Sequence, residues 1–340
     1  MSNNTAFLAA ACVSLSMLAI PALAADAAAK KVLTVYTYDS FVSEWGMGPL
    51  IKPTFEEQCG CTLNLVGMDD AVALLQRLKL EGASTSADLV LGLDLNLVDD
   101  AKKSGLFANH AVDTSALKMP IDWQDDTFVP FDYGYFAFVY NTELMPNPPK
   151  SLDELVNAGP ELKIIIQDPR SSTPGLGLLL WMKSVYGDQS DAAWAKLSDN
   201  ILTTTKGWSE AYFSLFLAGE APMVLSYSTS PAYHMEIEGT DQYQAAAFEE
   251  GHYLQVEVAA KLKASKNPQL ADEFLNFMVS DGFQKHLPLS NVMYPVNPPA
   301  DMPAAYGKLI TPTQVLQLDT AQINQNRKQW VSDWLNVMTE

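Results

Sequence analysis

Positive charge is scarce in this sequence: 21 Lys and Arg stand against 40 Asp and Glu, for a net charge of −19. A basic footprint of the kind that grips phosphate backbones is missing, which argues against nucleic acid and against anionic membrane surfaces as partners. The same balance favours cationic small molecules. Charged residues as a whole make up only 18%, yet hydrophobic residues reach an ordinary 48%, which excludes global disorder. The 18 Gly and 20 Pro are scattered, so the chain is neither collagen-like nor a linker. At roughly 150 residues per domain, 340 residues suit about two domains.

Catalytic signatures are also missing. The sequence has no G-x-S-x-G, no G-x-x-x-x-G-K-[ST], no H-E-x-x-H and no C-x-x-C, and Gly175-Leu176-Gly177 lacks the third glycine of a dinucleotide fingerprint. His110, His234, His252 and His286 share no spacing and read as surface or hydrogen-bonded structural residues. No resident cofactor or metal is expected, and the chain does not read as an enzyme. Cysteine is rare too. Cys59-Gly60-Cys61 is either a short local disulfide in a turn or part of a metal site, for which no further Cys or His lies nearby.

Long apolar runs are absent except at the start. Ala6 to Leu23 is one apolar stretch ending in Ala22-Leu23-Ala24, followed by Ala25-Asp26, an A-x-A cleavage pattern. Residues 1–24 therefore read as a signal peptide sending a soluble, monomeric chain to the periplasm. The first five residues carry no Lys or Arg, so a retained anchor is the other reading. The run before Cys12 is too short for a lipid-attachment site.

The rest alternates strand and helix. Lys31–Tyr38, Thr62–Met68 and Ala87–Leu93 predict strands, and Asp70 reads as the N-cap of a helix over Ala71–Glu81. Asp94 opens a further helix. Phe128–Asn141, broken by Pro and Gly, reads as a strand passing between lobes. A second set follows, with strands Leu162–Gln167, Ile201–Lys206 and Met223–Tyr227, helices Pro174–Val185 and Ser209–Ala218, and an extended return over Tyr243–Ala260. This order predicts an α/β fold of two hinged lobes, each a parallel sheet flanked by helices, with ligands bound at the carboxyl ends of the strands. The lobes are expected over residues 31–131 with about 250–292, and 132–249 with about 293–340.

Three loops stand out. Gln167–Gly175 runs from a strand into a helix, with Ser172 or Thr173 as N-cap and Pro174 opening the helix; it serves either as simple capping or as an anion seat. Lys206-Gly207-Trp208-Ser209-Glu210 and Leu225–His234 are placed likewise. Their Trp208, Tyr227 and Tyr233 either pack in the core or face Tyr38 and Trp45 across a cleft, where aromatics near Asp would suit a planar cation.

Val129-Pro130, Tyr140-Asn141, Leu144 and Pro148-Pro149-Lys150-Ser151-Leu152-Asp153-Glu154-Leu155 resemble extracytoplasmic solute-binding proteins of ABC importers. The likeness narrows to the thiamine-binding branch at Val35–Phe41, Gln167-Asp168-Pro169-Arg170, Ser172–Gly177, Lys206–Tyr212 and Gly251–Glu257, and it spans nearly all of the chain beyond the apolar start. It implies a two-lobed periplasmic-binding-protein fold of type II. It further implies capture of thiamine, its monophosphate or its diphosphate, and delivery to a membrane permease driven by an ATPase. Carried over by position, the ligand contacts are Asp70, Ala71, Ser172, Thr173, Trp208, Tyr227, Ser228, Thr229 and Ser230, with Tyr38, Trp45 and Tyr233 as further walls. In that picture the aromatics stack on the rings, Asp70 accepts from the exocyclic amine, and Ser172 and Thr173 hold a phosphate. Ala71 stands where the family pattern has Gly. Lobe closure would hinge near Phe131–Phe138 and Glu249–Val256. The alternative is a relative binding ferric ion or another cation, although Tyr227 and Tyr233 are not adjacent as iron-ligating tyrosines would be.

Overall fold

The computed structural model describes residues 1–2 and 30–339; the apolar stretch, Cys12 and the cleavage pattern lie outside them. Among the described residues, no helix is long and apolar enough to cross a membrane. Beyond Lys31 the chain forms an α/β body around one sheet of eleven strands.

The strands are β1 (Val32–Tyr38), β2 (Thr62–Met68), β3 (Leu89–Asp94), β4 (Val129–Asn141), β5 (Ile164–Gln167), β6 (Ile201–Thr205), β7 (Met223–Tyr227), β8 (Tyr243–Ala245), β9 (His252–Lys261), β10 (Tyr294–Pro295) and β11 (Val315–Leu316). The main order is β2-β1-β3-β9-β4-β7-β5-β6; β8 and β10 add to β4, and β11 to β9. The two ends are parallel, as expected: β1 pairs β2 and β3, and β5 pairs β6 and β7. The centre corrects that expectation, because β9 runs antiparallel to β3 and β4, and β4 antiparallel to β7. Parallel neighbours need a crossover helix between them, whereas β4 and β9 are the chain's own passages between the ends and can pair in opposite directions.

Hydrophobic burial explains the ends. All six residues of β3 and all four of β5 are buried, as parallel strands covered on both faces must be. Helices Met47–Cys59 and Pro268–Met278 bury Phe55, Phe274 and Phe277 together against the β1 side. Helix Thr173–Tyr186 is buried from Thr173 through Met182, and its Trp181 ring packs on Phe248 and His252. A disulfide joins Cys59 and Cys61 across Gly60, in the turn between helix and strand.

Two expectations change. The return segment is not one strand: β8 and β9 are separated by a turn at Gly251 (φ 95°), where an added Cβ would lie 2.3 Å from the Gln314 carbonyl oxygen. The predicted helix over Ser209–Ala218 forms as a π-helix over Glu210–Phe216.

Gly92 links the fold to the site. It has φ 94° and lies where the β3–β9 register shifts between Leu91 and Leu93. A Cβ there would fall 2.2 Å from Cε1 of Tyr38. Only glycine combines that backbone with so close a ring. Gly92→Ala is expected to lower the unfolding free energy by about 1–3 kcal/mol. Denaturant midpoints of the two proteins test this, and equal midpoints would mean that the bulge relaxes without displacing Tyr38.

Candidate functional site

The carboxyl ends of β1, β2, β6 and β7 converge on a cavity of about 410 Å³, lined by residues from 38–70, 208–238, Glu257 and 289–293. The position follows the rule for open α/β sheets.

Asp70 stands at its floor, only 8% exposed. It caps helix Ala71–Glu81 as predicted, accepting from the Ala71 amide at 2.8 Å. It also receives the Ser172 hydroxyl at 2.9 Å and the Thr173 hydroxyl at 2.8 Å. The expected capping by Ser172 or Thr173 is therefore corrected: Ser172 holds the N-cap position without a side-chain bond to its own helix. Both hydroxyls point instead to the carboxylate of Asp70, which brings the negative charge that a helix N-terminus favours. Burial raises the Asp70 pKa, and the bonds from Thr173, Ala71 and Ser172 work against that rise.

Aromatic rings form the next wall. Trp208 stacks on Tyr212 with ring centroids 5.0 Å apart and meets Phe213 edge-on at 5.2 Å. Its indole N–H donates to Ser226 Oγ at 2.8 Å, which fixes the ring's rotation. The π-helical turn brings Tyr212, Phe213 and Leu217 to the cavity together. Trp45, 46% exposed, packs on Phe213 at 4.7 Å and so bridges the two sides.

Glu257 lines the third wall, with Asp132 and Asp94 buried behind it. Tyr38 Oη lies 2.9 Å from both Glu257 Oε2 and Asn291 Oδ1. The Asn291 amide donates to Asp132 Oδ2 at 2.6 Å and to Glu257 Oε2 at 3.2 Å. Glu257 is the cross-strand partner of Asp132 on β4 and of Asp94 on β3. Burial pushes Asp94 and Asp132 up to about 7, and burial reinforced by Asp132 pushes Glu257 well above the usual carboxylate range. Next to Asn291, Val292 adopts φ 54°, a left-handed conformation that costs a β-branched residue about 1–3 kcal/mol. That turn holds Asn291 between the two carboxyls. No Lys, Arg or His is among the described residues lining the cavity.

Of the residues singled out in sequence, Tyr38, Trp45, Asp70, Trp208, Tyr227, Ser230 and Tyr233 surround this one cavity. Ala71, Ser172, Thr173, Ser228 and Thr229 are buried outside its lining. The Ala71 amide is already bonded to Asp70, and the Ser228 amide donates to the Tyr135 carbonyl at 2.8 Å. Sequence reasoning missed Glu257, Asn291, Tyr212 and Phe213. Glu257 did carry a signal, as a lone acid inside the apolar run Leu254–Ala260; Asn291, in irregular backbone, carried none. Among the described residues, no group of three or more His, Cys, Asp or Glu side chains is placed to hold a metal ion.

Known proteins share this architecture. The bacterial extracellular solute-binding protein family model matches residues 84–326. The chain is 56% identical to the thiamine-binding periplasmic protein of Escherichia coli (strain K12), over 90% of this chain and 93% of that one. A solved periplasmic thiamin binding protein superposes with a TM-score of 0.89 at 55% identity, covering 92% of this chain and 97% of its own. The ferric binding protein from Campylobacter jejuni, at 21% identity and TM-score 0.73 over 90% of this chain and 99% of that one, shares the fold alone. The chain thus has the periplasmic-binding-protein fold and belongs to the bacterial extracellular solute-binding protein family.

Proposed function

We propose that this chain binds thiamine in the periplasm, as a monomer, and delivers it to the permease of an ABC importer driven by an ATPase. The observation that carries the reading is the cavity itself: aromatic faces on one side, Glu257 backed by buried acids on the other, and no basic residue among the described ones that line it. A thiazolium cation beside an aminopyrimidine matches such walls, since cation–π contacts contribute about 0.5–2 kcal/mol each and stacking adds to them. The 56% identity to a protein named for thiamine binding supports the same ligand. No catalytic step is assigned to the chain.

The roles of the lining residues follow from their environment. Trp208, backed by Tyr212 and held by Ser226, is the stacking face. Tyr227, on the β7 end and tilted against Phe136 with centroids 5.3 Å apart, is the second ring, and Trp45 and Tyr233 complete the enclosure. Tyr38, whose hydroxyl bonds Glu257, acts through that carboxyl more than through its ring. Asp70, whose Oδ2 accepts from Ser172 while Oδ1 accepts from Ala71 and Thr173, is proposed to take the exocyclic amine on Oδ2. Thiamine monophosphate and diphosphate are proposed as further ligands; a phosphate at Ser172 and Thr173 would have to compete with Asp70 for their hydroxyls.

Calorimetric titration of the purified chain with thiamine is expected to show one-to-one saturable binding, with the two phosphates ranked in the same series. No heat with thiamine and uptake of ferric ion instead would overturn the ligand. Trp208→Ala is expected to weaken thiamine binding at least about tenfold, while the protein still unfolds cooperatively with a stability loss of about 1–3 kcal/mol from the missing ring contacts and the Ser226 bond. Unchanged affinity would remove Trp208 from the site.

A further inference from the structure

The acid wall does more than the proposed ligand contacts require. Asp132 and Glu257 face each other across β4 and β9, fully or nearly buried, and one amide, that of Asn291, donates to both. Asp132 Oδ1, Asp94 Oδ2 and Gln255 Oε1 are buried without any protein donor. A proton held by one of the two carboxyls is the donor that the pair's own unpartnered oxygen, Asp132 Oδ1, lacks. Two ionised carboxyls so placed repel strongly, and the low dielectric around them magnifies the repulsion.

Resting on the thiamine reading, we propose that Glu257 and Asp132 form a charge-sensing pair that holds one shared proton when no cation faces it and releases that proton to solvent when a cationic ligand enters the cavity. The bond broken is the carboxyl O–H; the proton passes to bulk water or buffer, and the ligand's positive charge replaces it against the second carboxylate. Glu257, which lines the cavity, is thereby the residue that selects a cation over a neutral ring of the same shape.

The pair's surroundings leave the ligand as its natural counter-charge. Facing it are Tyr38 from β1, Asp94 from β3, Tyr227 from β7, Asp70 at its helix start, Asn291, and Gln255 of its own strand. Tyr306 feels Asp132, and Arg327 acts on Asp94. Every other group named is neutral or acidic. Both members titrate above the ordinary carboxylate range, burial being the first cause for each. A proton released on binding means, by linkage, that raising the pH strengthens cation binding over the range in which the free pair still holds its proton.

The test is calorimetry of the native chain with thiamine and with its neutral thiophene isostere, in which carbon replaces the charged ring nitrogen. Titrations near pH 7 in phosphate and in Tris differ in observed heat by the protons exchanged. Release of about 0.3–1 proton per thiamine is expected, with affinity rising from about pH 6 to about pH 8, and neither effect with the isostere. Glu257→Gln, close in shape, is expected to abolish the release and to lower thiamine affinity at least about tenfold while changing isostere affinity less than about threefold. Thiamine binding with equal heats in both buffers would overturn the pair and leave the thiamine reading standing. Release persisting in Glu257→Gln, or equal losses for both ligands, would do the same. No binding of thiamine to the native chain would overturn both.

Discussion

One carboxylate holds the site's geometry. Asp70 sits at the N-terminus of helix Ala71–Glu81 and receives the two hydroxyls that begin helix Thr173–Tyr186, a hundred residues further along. Each helix start carries amides with no partner inside the helix, and a buried start without one is costly. Asp70 takes an amide at the first start and, through the Ser172 and Thr173 hydroxyls, sets its charge beside the second; loss of a cap alone removes about 0.5–2 kcal/mol. The bond from the Ala73 amide to the Ser171 carbonyl runs beside it. This node fixes the distance between the β2 end and the β5 end of the sheet, and hence the width of the cavity above. It also explains why Ser172 and Thr173 lie outside the lining: their hydroxyls are consumed by the node.

The antiparallel centre supplies the second constraint. Because β9 pairs with β3 and β4 in opposite directions, alternate residues of three strands share a face, and Asp94, Glu257 and Asp132 fall in one row across them. Burying three acids weakens the fold, since hydrophobic replacements of the same size would pack at lower cost. What they provide is a row of carboxyls at the inner end of the aromatic cavity whose negative charge is stabilised once a cation faces it. The strained Val292 and the bulge at Gly92 belong to the same arrangement, one aiming Asn291 and the other making room for Tyr38. Departures from local preference thus gather around the cavity, as they do where geometry serves function.

Much of this was legible from pattern. Strands β2 and β7, helix Ala71–Glu81 and its Asp70 cap lie where periodicity and capping chemistry put them, because each is set by residues within a few positions. The aromatics of the site were legible through the strand-end rule. The antiparallel centre was not: β9 and β4 read as extended, but their direction depends on pairing with strands far away in sequence. The bonding of Asp70 to the start of the second helix was hidden for the same reason. Local chemistry names Ser172 as a cap, and only the tertiary neighbour shows that its hydroxyl is spoken for. Acids inside the apolar runs of β4 and β9 were the one visible sign of the third wall.

These pieces bear on how the cavity admits a ligand. At the level of the sheet, every path between its two ends runs through the adjacent strands β9 and β4. A rotation of one end against the other therefore twists that pair, and on the cavity side it separates the Asp70 node, the Trp45–Phe213 packing, the Ser171 backbone bond and the bond from the Gln76 amide to the Arg170 carbonyl. An aromatic pair contributes about 0.5–1.5 kcal/mol and a charged hydrogen bond about 1.5–3 kcal/mol. The sum is on the order of 5–10 kcal/mol, the range that one tightly bound small ligand supplies. A balance that close lets ligand binding decide between open and closed forms, because a ligand shifts a conformational equilibrium by no more than its differential affinity for the two states. Had the two ends been welded by a broad hydrophobic interface over the cavity, no small molecule could have moved that equilibrium.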